Sequence, residues 1–240
     1  LIFLASNHIL PLAPMKPAIL VIHYSQSGQL TRILQQILQP LQNHAEIEWV
    51  DIKPVQAFPF PWTAYTFFDC MPECVLQIPE AIEPMTFKRS RYDLIVLGYQ
   101  PWFLSLSLPF NSFLQSPYAN ILNEHDVLTV AGTRNMWLHA QEQLKSSLTH
   151  RHARLRGHVV LSDKHGNLTS VLSIMRWTFW GKKEAGRLLP EAGVSETDIQ
   201  NASVFGDVIH PFLQTGSWEG LHGALLNKGS IRLQASLIIL

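Results

Sequence analysis

The chain has no excess charge of either sign. Eighteen Lys and Arg stand against 18 Asp and Glu in 240 residues, so a nucleic-acid partner has no electrostatic support. Only two cysteines are present, Cys70 and Cys74. They cannot make a disulfide framework, and a reducing cytoplasm is the expected compartment. A metal site takes about four ligands. With no second cysteine pair and no histidine pair nearby, none is expected. No apolar run approaches the ~20 residues that cross a bilayer, so no integral membrane contact is expected. The apolar residues 1–14 lack a basic leader and do not read as a signal peptide. Met15-Lys16-Pro17 follows them, so residues 1–15 read as a non-native or disordered extension, either upstream sequence ahead of Met15 or an apolar arm. Two phosphate-binding signatures are also missing. No Gly-Lys-Ser/Thr follows the first turn, and Gly28 is the only glycine in it.

What is present is an alternation of strand and helix patterns. A branched apolar run at 18–24 ends in Ser25-Gln26-Ser27-Gly28-Gln29 and opens into a segment with apolar positions Leu30, Ile33, Leu34, Ile37, Leu38 and Leu41. This reads as strand, tight loop, helix. A helix starting beside such a loop offers unpaired N–H groups and a positive dipole end to an anion. Further strands are expected at 46–52, 92–98, 126–131 and 157–161. Helices are expected around 110–114, over 136–149 with Asn135 as N-cap, over 174–189 and over 196–213. Residues 235–240 read as a last strand or an artefact of the chain end. Five strands alternating with helices predict a parallel sheet covered on both faces, a three-layer α/β/α domain over 16–162. Residues 163–240 are expected to form a helical extension packed on it. The connection at 54–84 is long and aromatic, and long loops often carry function.

Three loops carry a resemblance. Ser25-Gln26-Ser27-Gly28-Gln29-Leu30 resembles the phosphate loop of flavodoxin-like proteins. The stretch from Gly98 to Pro109 resembles, without a gap, the loop that flanks the flavin ring in flavodoxin-like oxidoreductases. Trp102 and Phe103 fall on the family's aromatic pair, Ser105 on its serine and Pro109 on its last proline. Gly132-Thr133-Arg134-Asn135-Met136-Trp137 falls where the family has its other ring-contacting loop. All three are expected at carboxyl ends of strands, where open α/β sheets bind ligands. Over residues 16–162 the chain is similar to flavodoxin-like FMN-dependent oxidoreductases. The resemblance implies a flavodoxin-like fold and bound FMN. It places the phosphate at Ser25, Gln26, Ser27, Gly28, Gln29 and Leu30, and the ring among Gln100, Pro101, Trp102, Phe103, Gly132, Thr133, Asn135 and Trp137.

The chain also departs from that pattern. Leu30 replaces the family's Thr, Tyr99 and Gln100 replace a small residue and a proline, and Leu104 replaces a Gly, so this loop is not expected to bend as in the family. The aromatic insert, residues 134–137 and the tail from Arg176 to Lys183 resemble one branch, labelled dialkylresorcinol condensing enzymes. That likeness implies a redox or aromatising step on an alkylated cyclic ketone or quinone-like lipophilic substrate, rather than condensation. NAD(P)H as electron donor and a homodimer are further expectations. No residue is assigned a catalytic role. An electron carrier of this family is usually strongly acidic, which suits a neutral chain less; a flavin-free scaffold is the other alternative.

The remaining groups read as structural. Cys70 and Cys74, four apart, read as buried free thiols. His150, His152, His158 and His165, with Arg151, Arg154 and Arg156, read as a solvated helix end, or as a site for nicotinamide-donor phosphates. His23 reads as a satisfied core histidine. Lys182 and Lys183 read as a solvated face or a contact for a substrate tail. Phe58, Phe60, Trp62, Tyr65, Phe67 and Phe68 read equally as a lid over a greasy substrate and as a plug or dimer contact.

Overall fold

The computed structural model describes residues 16–133, 137–162, 178–179, 181 and 193–232. Five parallel strands form one sheet: β1 (Ala18–His23), β2 (Glu46–Asp51), β3 (Leu94–Tyr99), β6 (Asp126–Thr133) and β7 (Arg154–Ser162). A two-stranded hairpin, β4 (Pro101–Trp102) and β5 (Ser105–Leu106), follows β3. The sheet order is β2-β1-β3-β6-β7. The chain steps one way from β1 to β2, then returns past β1 to build the rest. That reversal between β1 and β3 is the flavodoxin-like arrangement, and it opens a crevice at the carboxyl ends of those two strands. The register runs Ile19↔Ile47 on one side of β1 and Ile19↔Leu94 on the other.

Residue alternation on the buried strands separates two cores. Ile19, Val21, Leu94, Val96, Leu128 and Val130 face one layer. Leu20, Ile22, Ile95, Leu97 and Val127 face the other. The first layer holds α1 (Gln29–Leu38), whose Leu30, Ile33, Leu34, Ile37 and Leu38 form the apolar stripe read from the sequence. The second holds α4 (Leu108–Gln115) and α5 (Leu138–His150). Strand β2 sits at the sheet edge and is half exposed.

Several boundaries differ from expectation. Gly132 and Thr133 belong to β6 rather than to a loop. Helix α5 begins at Leu138, with Trp137 in the cap position and no side-chain cap, so Asn135 is not its N-cap; Asn135 lies outside the described residues. The helix expected at 196–213 is two helices, α6 (Glu196–Gln200) and α7 (Ser203–Thr215). Ser195 caps α6 by accepting from the Asp198 amide at 3.2 Å. The break at Asn201–Ala202 redirects the chain so that α7 lies against the end of α1. There Gly206 approaches so closely that a Cβ would stand 2.1 Å from the Ile37 carbonyl oxygen. A further helix, α8 (Leu221–Asn227), carried no expectation; it packs Leu221 and Leu225 on the first core. Most of the helix expected at 174–189 and all of residues 235–240 lie outside the described residues, as do His165, Lys182 and Lys183.

His158 leaves the basic cluster proposed for it. It is 3% exposed, with Nδ1 2.7 Å from Thr129 Oγ1 and its ring against Trp137. The Tyr99 hydroxyl donates to Gln141 Oε1 at 2.8 Å, completing a buried polar group between β3, β6, β7 and α5. The arginines are committed as well. Arg154 and Arg156 both hold Asp126, and Arg151 donates to the Ser147 carbonyl at 3.0 Å and to the Leu114 carbonyl. Arg154 and Arg156 thus share one carboxylate, and Arg151 is held by neutral acceptors. Among the described residues, no helix is long and apolar enough to cross a membrane.

Two consequences are testable. Gly206→Ala overpacks the α1–α7 contact and is expected to cost about 1–3 kcal/mol, read as a lower urea midpoint. Burial holds the His158 imidazole down at about 4. Its unfolded value is near 6.5, so its contribution is complete above that pH and is lost as pH falls toward 4, by about 3 kcal/mol. Urea unfolding of the protein and of His158→Gln across pH 4–7 checks this; the variant should lose the steeper part of the acid slope.

Candidate functional site

The carboxyl end of β1 delivers His23 and Tyr24 to the turn 25–28, and α1 starts at once. Gly28 makes this possible: it occupies the cap position at φ 77°, ψ −9°, a left-handed conformation that glycine adopts without penalty. The Ser25 hydroxyl accepts from the Thr31 amide at 3.4 Å, and the Gln100 side-chain carbonyl accepts from the Gln26 amide at 3.4 Å. The amides of Ser27, Gly28, Gln29 and Leu30 have no hydrogen-bond partner among the described residues. Successive free N–H groups at a helix start, around a left-handed glycine, make a concave anion receptor.

The second wall follows β3. Hairpin β4–β5 turns at Phe103 and Leu104, which stand at φ 48° and 68°. Positive φ at both central residues is what a tight hairpin turn requires. The loop therefore bends without the family's glycine, contrary to the sequence reading, at the expense of backbone strain. Two donors over-determine it. The single Cys74 S–H proton is shared between the Trp102 carbonyl at 3.3 Å and the Leu106 carbonyl at 3.2 Å, and the Ser107 amide closes on the Gln100 carbonyl at 3.0 Å. Burial pushes the Cys74 thiol up to about 12 and Cys70 to about 11, so both stay protonated donors, the free thiols expected.

The aromatic insert forms the third wall. It contains two short helices, α2 (Ala64–Asp69), started by a Thr63–Thr66 capping box, and α3 (Met71–Leu76). Trp62 is buried and meets Trp102 edge-on at 5.2 Å; Phe58 meets Trp102 at 5.2 Å, and Phe67 meets Phe103 at 4.8 Å. Phe60, Trp62 and Phe67 line a cavity, whereas Tyr65 and Phe68 face solvent, 75% and 59% exposed. Three rings of the insert are thus cavity surface, and two face solvent.

The cavity has a volume of about 400 Å³, within the range of cofactor sites. Of the expected site residues, Gln26, Ser27, Gln29, Gln100, Pro101, Trp102, Phe103, Gly132 and Thr133 line it. Ser25 and Gly28 shape the loop from behind. Leu30 and Trp137 are corrections: both side chains are buried in the two cores, so Leu30 has only its amide on the loop and Trp137 does not face the cavity. The Gln29 side chain is also spent elsewhere. It donates to the Val194 carbonyl at 3.1 Å and accepts from the Val194 amide at 3.2 Å. Leu104, Thr178 and Gly193 line the cavity without having been expected there. The last two come from the distant extension, which left no local signal.

No charged residue is among the described residues lining the cavity. One end is a cluster of amides and hydroxyls; the other is indole and phenyl surface. This donor set fits a ligand with an anionic end and a flat apolar body, such as a flavin nucleotide. Behind the loop, His23 is 3% exposed. Its Nε2 lies 2.9 Å from Thr31 Oγ1, its Nδ1 3.3 Å from Asp51 Oδ1, and Trp49 meets its ring edge-on. Burial lowers its proton affinity while Asp51 raises it, burial being the larger effect.

The left-handed turn gives a direct check. Leu104→Gly removes a strained residue from a 50%-exposed position and is expected to raise stability by up to about 1 kcal/mol, measured by thermal unfolding.

No family model and no curated protein matches this chain. Solved structures do resemble it. A flavoprotein in complex with FMN from Lactobacillus acidophilus NCFM is 16% identical, covering 60% of this chain and 93% of that one, with a TM-score of 0.49. A WrbA-like flavodoxin from Agrobacterium tumefaciens is 9% identical, covering 84% and 100%, with a TM-score of 0.46. An oxidoreductase from Corynebacterium diphtheriae is 12% identical, covering 85% and 97%, with a TM-score of 0.41. At these values the likenesses carry no argument of their own, and the flavodoxin-like fold stands on strand order and register.

Proposed function

We propose that this protein binds FMN and acts as an FMN-dependent oxidoreductase on a lipophilic cyclic ketone or quinone-like substrate. One observation carries the reading: at the β1/β3 switch point a single cavity joins amides that have no partner among the described residues to a wall of Phe60, Trp62, Phe67, Trp102 and Phe103. The amides of residues 27–30, with the Ser27 hydroxyl, would hold the phosphate through fixed dipoles and the α1 N-terminus. Gln26 and Gln100 brace that loop against the hairpin, and Gln26 Nε2 also reaches the Pro59 carbonyl at 3.0 Å. Trp102, Phe103, Gly132 and Thr133 would border the ring. Gly132 is tightly packed, since a Cβ would meet Ile33 Cδ1 at 3.2 Å.

When bound, FMN supplies the hydride and electron chemistry. The chain supplies position and a surface that excludes water. Phe60, Trp62 and Phe67 present the apolar area that a lipophilic substrate needs. A dialkylresorcinol-type pathway, with an alkylated cyclic ketone as substrate, agrees with this greasy wall, and a nicotinamide nucleotide is the proposed donor. The electron-carrier alternative gains nothing from the cavity, because none of its described lining residues is acidic. The flavin-free alternative rested on Leu30 and Leu104. Leu30 is turned into the core while its amide stays on the loop, and Leu104 takes the turn conformation, so neither blocks the cavity.

The decisive measurement is the visible absorption spectrum of the purified protein titrated with FMN. A resolved, shifted flavin band with 1:1 saturation is expected; no binding at excess FMN would sink the reading. Ser27→Asp places a carboxylate among the free amides and should weaken FMN at least tenfold while leaving riboflavin, which lacks the phosphate, nearly unaffected. Trp102→Ala should weaken both.

A further inference from the structure

Behind the anion loop, three side chains on three elements lie in a line: Thr31 in the first turn of α1, hydrogen-bonded to His23 Nε2 at the end of β1, and Asp51 at the end of β2, whose Oδ1 lies 3.3 Å from His23 Nδ1 without hydrogen-bond geometry. We propose that His23 is the proton-linked positive charge of the anion site, bound to a proton when the loop holds a phosphate dianion and neutral when it does not. The inference rests on the reading of residues 25–30 as an anion loop and adds a regulation to it.

The geometry gives His23 two distinct states. In the neutral ring, Nδ1–H faces the Asp51 carboxylate, and Nε2 is a lone pair that accepts the Thr31 hydroxyl proton. In the protonated ring, Nε2–H donates to Thr31 Oγ1. The Thr31 hydroxyl proton is then released for an acceptor on the loop side, where Ser25 Oγ already lies 3.4 Å from the Thr31 amide nitrogen. Protonation thus adds a positive charge behind the loop and converts Thr31 into a donor toward it. The proton comes from solvent; Asp51, 63% exposed, connects the line to water.

Charge balance explains why this group would respond. None of the described residues lining the cavity is a cation, so among them a dianion meets dipoles and no positive charge. Arg32, next to Thr31, is turned away to Glu196. Among the described residues, the groups against His23 offer no other titrating partner: β2 contributes Asp51 and the Trp49 ring, α1 contributes Thr31, and β3 contributes Gly98, whose would-be Cβ lies 2.9 Å from His23 Cβ. The line also has the connectivity of a nucleophile, base and acid. Thr31, however, lines none of the described cavities, so the arrangement suits anion holding rather than attack.

The test follows the His23 ring by NMR through a pH titration of the intact protein, alone, with saturating FMN, with riboflavin, and with sulfate against chloride at equal ionic strength. Sulfate stays a dianion throughout, so its own titration cannot mimic the effect. The expected result is that the His23 midpoint rises by at least about one pH unit with FMN, rises in the same direction with sulfate, and does not move with riboflavin. FMN affinity should then fall up to about tenfold per pH unit between the free and bound midpoints. His23→Gln, which keeps a hydrogen bond to Thr31 but cannot take a proton, should flatten that dependence, and Asp51→Asn should weaken it. FMN binding with an unmoved His23 midpoint overturns this inference alone. A midpoint raised by sulfate without FMN binding overturns the flavin reading and leaves this one standing. No response to either anion overturns both.

Discussion

The molecule depends on how tightly α1 is held against the sheet. Gly98 and Gly132 lack side chains where Leu34 and Ile33 press down, and a Cβ on Gly98 would stand 2.6 Å from Leu34 Cδ1. From the other side, Gly206 of α7 meets the Ile37 carbonyl and Pro40. Three missing side chains on three elements thus clamp one helix. Because its axis and height are fixed, the α1 N-terminus is fixed as well, and the amides of residues 27–30, which have no partner among the described residues, lie at the strand ends beside the cavity. A site built this way has pre-set dipoles, which lose little entropy on binding.

The second constraint is the hairpin after β3. A Phe-Leu pair in left-handed conformation is unfavourable in isolation. It persists because the Cys74 thiol, the Gln143 side chain and the aromatic insert hold the strands from three sides; Gln143 Oε1 accepts from the Leu106 amide at 3.1 Å. The insert therefore has two roles at once. Trp62 and Phe67 are cavity surface on one side and the buttress of a strained turn on the other.

Much of this was legible in the residues because the signals were local. The apolar alternation of β1 and the Leu30–Leu41 stripe of α1 lie within single segments, and the Ser-Gly turn sits between them. All five strands and the first two loops at their ends could be read in that way; of the third, Gly132 and Thr133 proved to be strand and 134–136 lie outside the described residues. What was hidden is non-local. Leu30 and Trp137 are close to the loops in sequence, yet the packing of α1 and α5 sends their side chains into the cores. Leu104 was read as an obstacle because a propensity rule omits what a neighbouring thiol can enforce. The continuous period at 196–213 concealed a break that the α1–α7 contact requires. His158 looked like part of a basic tract because sequence adjacency says nothing about strand faces.

The paired hydrogen bonds between Gln29 and Val194 join residues 165 apart in the chain. Gln29 is the first residue of α1 and borders the anion loop, so the loop is sutured by a segment made much later on the ribosome. A nascent chain that has emerged through β7 could already fold its sheet, but it would carry an unfinished loop with a loose Gln29 amide. The finished form of the loop therefore waits on the docking of residue 194, far along the chain.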